Sequence, residues 1–192
     1  MRTPQVDCSS HIADRWGLGW MIHDWDGTTV VGHSGATIGQ AAELLVVPEQ
    51  GVAVALLVNG PRRRSDHELL SGVLADLCGV ELPPIPTPTT GPVTDPERYV
   101  GHYARLGVDL VVARDGDDLI LTTDLSGPLA DIPGEQSTTT RLYPTDVDGQ
   151  LLARLPGRDD LYTPVILHGE DPERPSFLHM GARAHVRADP GA

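Results

Sequence analysis

The order of apolar and polar positions divides the chain into two halves of different texture. Near the start, Gly17-Leu18-Gly19-Trp20-Met21-Ile22-His23-Asp24-Trp25 alternates loosely and reads as a strand ending at an Asp26-Gly27 turn. The β-branched pair Val30-Val31 then opens a second strand that runs into Gly32-His33-Ser34-Gly35-Ala36-Thr37 and places polar groups at its far end. Two apolar runs follow, Glu43-Leu44-Leu45-Val46-Val47-Pro48 and Val52-Ala53-Val54-Ala55-Leu56-Leu57-Val58-Asn59. A short Glu49-Gln50-Gly51 turn joins them, the signature of a hairpin. Four strands with tight connections predict an antiparallel meander.

A helix is predicted next. Ser65-Asp66-His67-Glu68 has the S-x-x-E form of a capping box, and Gly79 is a natural C-cap. Between them Leu69, Leu70, Val73, Leu74, Leu77 and Cys78 recur at helical spacing, a stripe that has to lie on one face of the meander. Six prolines between Pro83 and Pro96 preclude regular structure and mark an extended linker. Beyond it, short strand candidates (Val108–Ala113, Leu119–Thr123, Gln150–Leu155, Tyr162–Leu167) alternate with turns at Asp115-Gly116-Asp117, Asp148-Gly149 and Pro156-Gly157. No stretch there has helical periodicity, so the second half reads as all-β, a small barrel or sandwich. The expected organisation is an α+β part at 1–82, a linker at 83–95 and a β-barrel at 96–190.

Composition narrows the chemistry. The 192 residues carry a net charge of -13, and both halves are acidic, which excludes a phosphate-binding, nucleic-acid role. Arg62-Arg63-Arg64 is the one basic run and reads as a solvated loop. All fourteen cations are Arg. A chain without Lys has no Schiff-base, P-loop or general-base lysine. Cys8 and Cys78 make no disulfide framework; Cys78 on an apolar face reads as a free thiol, with a bridge to Cys8 the alternative. The eight His show no metal-ligand spacing, and Asp115-Gly116-Asp117-Asp118 lacks the later Glu of a Ca²⁺ loop, so neither a metal nor a cofactor is expected. No apolar run approaches the ~18 residues of a membrane span. The first residues lack a signal-peptide core, so the chain as it stands reads as cytoplasmic.

The segment Gly32-His33-Ser34-Gly35-Ala36-Thr37-Ile38-Gly39, with the strand before it and the hairpin after it, resembles the third box of serine β-lactamases and penicillin-binding proteins. That box is usually Lys-Thr-Gly and is often His-Ser-Gly in the esterase and peptidase branch. The likeness covers about Gly17 to Val80. After the linker, Tyr99-Val100-Gly101-His102-Tyr103 resembles the opening of the lipocalin-like domain appended to many such hydrolases. The resemblance implies acyl-serine hydrolysis of an ester, amide or β-lactam. His33 would supply a proton or positive field, and Ser34 would bind a substrate carbonyl or carboxylate. Gly35 and Thr37 would line the substrate, and the Ala36 N–H would be one of two oxyanion donors. The family's nucleophile sits in Ser-x-x-Lys, which a Lys-free chain lacks in any register. The chain then looks like the C-terminal part of such an enzyme, inactive alone and liable to dimerise or to need a complementing chain, since a face of the meander would be uncovered. Relatives are often exported.

Three other readings compete. His33 and Ser34 could merely satisfy backbone groups at a strand end. Gly32-His33-Ser34-Gly35-Ala36 could be a nucleophile elbow, with Ser34 attacking and Asp146 or Asp159 with His168 or His179 completing a triad. The barrel could be a binding module for a small ligand or a subunit, with Tyr99, His102 and Tyr103 as candidates, although core packing explains them too.

Overall fold

The computed structural model describes residues 1–10, 12–37, 39–131, 133–154, 161–169, 171 and 174–188, apart from the side chains of 9 and 10. It resolves two compact units, Met1–Ile85 and Pro86–Ala192.

The first unit is a six-stranded antiparallel sheet in sequence order: β1 Val6–Ser10, β2 Ala13–Trp16, β3 Met21–Trp25, β4 Thr28–Thr37, β5 Gln40–Val47 and β6 Val52–Val58. The meander is therefore two strands longer than the four expected. The expected strand at Gly17–Trp25 starts only at Met21. Before it, Gly17 N–H donates to the Trp20 carbonyl and Gly19 takes φ +77°, which together turn the chain. Residues on β1 and β2 are polar and short of apolar alternation, which hid them.

Pairing fixes two faces. Val30, Leu45 and Val47 join Val52, Val54 and Leu56 on one face, where Leu70 and Leu74 of α1 (Arg64–Cys78) bury against them with Val80. The Ser65–Glu68 box is not the cap. The helix begins two residues earlier, with Arg63 at the N-cap, and the Arg63 N–H donates to Asp66 Oδ2 at 2.7 Å. Gly79 closes the other end at φ 70°, its N–H on the Ala75 carbonyl. The apolar stripe is wider than the sheet can cover: Leu69 and Leu77 stay 54% and 57% exposed. Cys8 and Cys78 are both free thiols.

The second unit is a closed antiparallel barrel of eight strands. They are β7 Gly101–Arg105, β8 Val108–Asp115, β9 Asp118–Leu125, β10 Ser137–Pro144, β11 Gln150–Ala153, β12 Thr163–His168, β13 Phe177–Met180 and β14 Arg183–Arg187. Inward positions are filled by Tyr103, Leu110, Leu119, Leu121, Leu151, Val165 and Leu178 among others. A barrel packed this way has side chains where a lipocalin cavity would be. Tyr99 and Tyr103 belong to that core, and His102 Nε2 bonds Asp109 Oδ1 at 2.7 Å across β7–β8. The packing reading of these residues is the one that fits. Part of the proline-rich stretch belongs to the barrel too: Thr89 N–H donates to the Pro144 carbonyl, and Val93 packs on the core. The Asp115–Asp118 segment is the β8–β9 hairpin turn, with Gly116 at φ +62°. The Pro156-Gly157 turn and Leu155 lie outside the described residues.

Candidate functional site

The site is built on the second half of β4. β3 pairs with β4 only as far as Met21 opposite Gly32, whereas β5 continues opposite β4 from Val31 to Thr37. From His33 to Thr37 the β3 side of β4 therefore carries no strand among the described residues. An edge of this kind presents free backbone N–H and C=O groups to whatever lies beside it.

Alternation sorts the candidate residues. His33, Leu44 and Ala55 form one row across β4–β5–β6, and Gly35, Ala42 and Leu57 the next. These rows lie on the face away from α1. A concavity of about 600 Å³ opens at this end of the sheet, lined by residues of both faces: Gly35, Ala36, Thr37, Gln40, Ala41, Ala42, Leu57, Val58 and Asn59. Its floor is apolar, with Thr37, Gln40 and Asn59 supplying amide and hydroxyl groups. Gly35 leaves open space: a Cβ built on it meets nothing within 4 Å.

Ser34 alternates to the other face, directly across from Glu43. The structure thus does not bring His33 and Ser34 onto one face; what they share is the open edge, where both are exposed. The β4 strand runs on to Thr37 and turns into β5, with no helix after Ser34. That removes the strand-to-helix bend a nucleophile elbow needs, and the triad reading with it. Of its proposed partners, His168 stacks on Phe177 at 5.2 Å and meets His179 edge-on at 5.9 Å, and Asp159 lies outside the described residues.

His33 is held locally. Its Nδ1 stands 2.6 Å from the Ser34 carbonyl oxygen. A carbonyl only accepts, so Nδ1 carries the proton in that bond and Nε2 is the nitrogen left for chemistry. Trp16 meets the same imidazole edge-to-face, ring centroids 6.0 Å apart at 80°.

Two neighbours of the candidate residues have no signal in the sequence. Arg62 is not solvated: it is half-buried and ion-paired with Glu43, the two side chains 21% and 14% exposed. The pair neutralises the carboxylate facing Ser34. Trp16 had no signal, because its contact with His33 depends on where β3 starts. Among the described residues no group of three or more His, Cys, Asp or Glu is placed to hold a metal ion.

Residues 4–77 match the Beta-lactamase family model. Penicillin-binding protein 4 of Amycolatopsis lactamdurans is 40% identical over 104 residues, 53% of this chain and 27% of that protein. Among solved structures, SurE with D-Leu is similar at TM-score 0.66 and 28% identity, covering 98% of this chain and 42% of SurE. A second SurE structure gives 0.60 and 27%, covering 92% and 38%. The chain thus spans about a quarter of the one relative and about two fifths of the other.

Proposed function

We propose, from the Beta-lactamase match over residues 4–77, the likeness of about half the chain to a penicillin-binding protein and its likeness along most of its length to SurE, that β4 is the substrate-binding wall of a serine acyl hydrolase whose nucleophile lies on polypeptide outside this chain. One observation carries the reading: the unpaired edge of β4 over His33–Thr37 borders a concavity lined by Gly35, Ala36 and Thr37. An extended acyl chain laid along that edge takes backbone hydrogen bonds in the manner of an added strand.

In this arrangement the Ala36 N–H stabilises the oxyanion that forms when an external serine attacks the ester, amide or β-lactam carbonyl. His33 Nε2 exchanges a proton with the attacking or leaving group, its Nδ1–H staying on the Ser34 carbonyl. Gly35 lets the substrate backbone approach. The apolar surface formed by Ala42 and Leu57 takes an aliphatic side chain. SurE has been solved with D-Leu, and a D-configured aliphatic residue is the first ligand class to try here.

The test uses the chain as it is. Titration with N-acetyl-D-leucine should shift the backbone amides of residues 33–37 and 57–59, while short esters are not hydrolysed. Sizeable ester hydrolysis that disappears in Ser34→Ala would overturn the reading, as would amide shifts confined to the barrel.

A further inference from the structure

We propose that Trp16 is a positioning residue for His33, holding the imidazole beside the open edge of β4 with Nε2 presented for proton transfer. The inference rests on the functional reading above and adds a residue to it.

Trp16 is the last residue of β2, opposite Met21, and Met21 is the residue opposite Gly32. The turn through Gly17–Trp20 ends the β2–β3 hairpin at this point. His33 is the first β4 residue past the last β3 pair. The half-buried indole therefore stands at the corner where the sheet stops and the unpaired edge begins, and its ring meets the imidazole at 6.0 Å and 80°. Edge-to-face packing of two rings favours one relative orientation over others.

His33 itself is exposed. An exposed imidazole with no such neighbour hops between rotamers on the ps–ns scale and exchanges its ring proton between nitrogens. Two restraints act on this one. The Ser34 carbonyl fixes the proton on Nδ1, and Trp16 limits rotation of the ring that would break that bond. Neither suffices alone: a single hydrogen bond in contact with water is worth little net, and a ring contact does not choose a tautomer. Together they present one nitrogen at one place, which is what a proton-transfer group needs.

The experiment reads the ring nitrogens of His33 by ¹⁵N NMR in the full chain, for the unaltered sequence, Trp16→Phe, Trp16→Leu and Trp16→Ala. The expected result is the Nδ1–H pattern in the unaltered chain and in Trp16→Phe, and a shift toward the Nε2–H pattern in the Leu and Ala variants. Rescue by Phe separates ring orientation from bulk, because Leu fills space without a ring face. Should a variant fail to fold, the unaltered chain still decides: direct proton–proton contacts between the two rings and a ring-current shift of the imidazole protons are required. A Nε2–H pattern in the unaltered chain, absent ring contacts, or an unchanged pattern in Trp16→Leu would each overturn the proposal. The readout involves no substrate, so it can fail while ligand binding at β4 stands, and the reverse.

Discussion

Gly32 stands directly across β4–β5 from Leu45, and its missing side chain is what lets the two strands lie together there. A Cβ at position 32 would sit 2.5 Å from the Leu44 carbonyl oxygen and 2.9 Å from Leu45 Cδ2. Leu45 is core and 2% exposed, so neither neighbour has room to move. Gly32→Ala should destabilise the first unit by about 1–3 kcal/mol, the usual cost of overpacking a filled site. Gly35→Ala, three residues along in open space, should leave the unfolding midpoint unchanged yet weaken binding of the acyl ligand. Denaturant melts of both variants, with the ligand titration repeated on Gly35→Ala, check the contrast.

Arg62 and Glu43 offer a second contrast. The carboxylate faces Ser34 across the strands and is half-buried, so it depends on the guanidinium for its charge balance. Removing only Arg62 strands a negative charge beside the proposed site. Arg62→Met should cost about 1–3 kcal/mol and repel an anionic ligand, whereas Arg62→Met with Glu43→Gln should recover most of both losses. A double-mutant cycle in stability and in N-acetyl-D-leucine affinity measures the coupling. Additive effects would mean the pair matters to neither.

How far the sequence reached depends on where each signal lives. The β5–β6 hairpin was legible because Leu44–Val47 and Val52–Val58 are apolar runs around Gly51, although burial there alternates and leaves Ala53, Ala55 and Leu57 exposed. The helix was legible from Leu70 and Leu74, but its cap was not: Ser65 heads an S-x-x-E pattern, whereas the chain leaving β6 enters the helix at Arg63, with Asp66 reaching back to the Arg63 N–H. Strands β1 and β2 carry Asp7, Asp14 and Arg15 and owe their existence to pairing, β1 with β2 and β2 with β3, a tertiary cause that a local pattern does not record. The site divides the same way. His33, Ser34 and Gly35 stood out as a motif, whereas Trp16, Glu43 and Arg62 reach it through register and loop path alone.

Within the barrel, Tyr103 is fully buried and still satisfies its hydroxyl. The O–H donates to the Tyr99 carbonyl at 3.2 Å and accepts from Arg187 Nη1 at 3.0 Å, while Arg187 Nη2 donates to the Val100 carbonyl at 2.6 Å. This network ties the segment entering β7 to the closing strand β14. Tyr103→Phe keeps the ring but removes the hydroxyl that accepts from Arg187 and donates to the Tyr99 carbonyl, and should cost about 1–2 kcal/mol. Tyr103→Leu should cost more, through the lost ring volume. Hydrogen exchange at the core amides of β8 and β9 reads the barrel apart from the first unit.

Leu57 is 82% exposed on the sheet face opposite α1, in a row with Ala42 and Gly35 and beside Ala53 and Ala55 on the same strand face. Apolar surface of this kind favours association at working concentrations. The chain should take up an apolar dye and sediment with a concentration-dependent average mass. Leu57→Glu should reduce both without lowering stability, because Leu57 makes no part of the buried core. A concentration-independent monomer with no dye uptake would show that this face is adequately covered.

The barrel also sets a pH dependence whose sign can be worked out. Burial pushes the imidazoles of His168, His179 and His185 below their ordinary value of 6.5; His168 lowers His179 further, and Arg105 lowers His185 further, opposed by the Leu178 and Arg183 carbonyls. In the unfolded chain all three would titrate near 6.5. Above that value both states hold them neutral, and the barrel has its full stability. As pH falls below it, the unfolded chain takes up protons that the folded barrel resists, so stability falls until the lowered folded values are themselves passed. His23 and His67 of the first unit are lowered by burial too and act in the same direction there, so a global melt would mix the two units. The measurement is therefore exchange protection of the Leu110 and Leu121 amides between about pH 7.5 and about pH 5, corrected for intrinsic exchange. Protection should decline across that range, and His179→Gln, which cannot take up the proton in either state, should flatten the decline. Equal slopes in the two proteins would mean that His179 carries no share of the acid sensitivity.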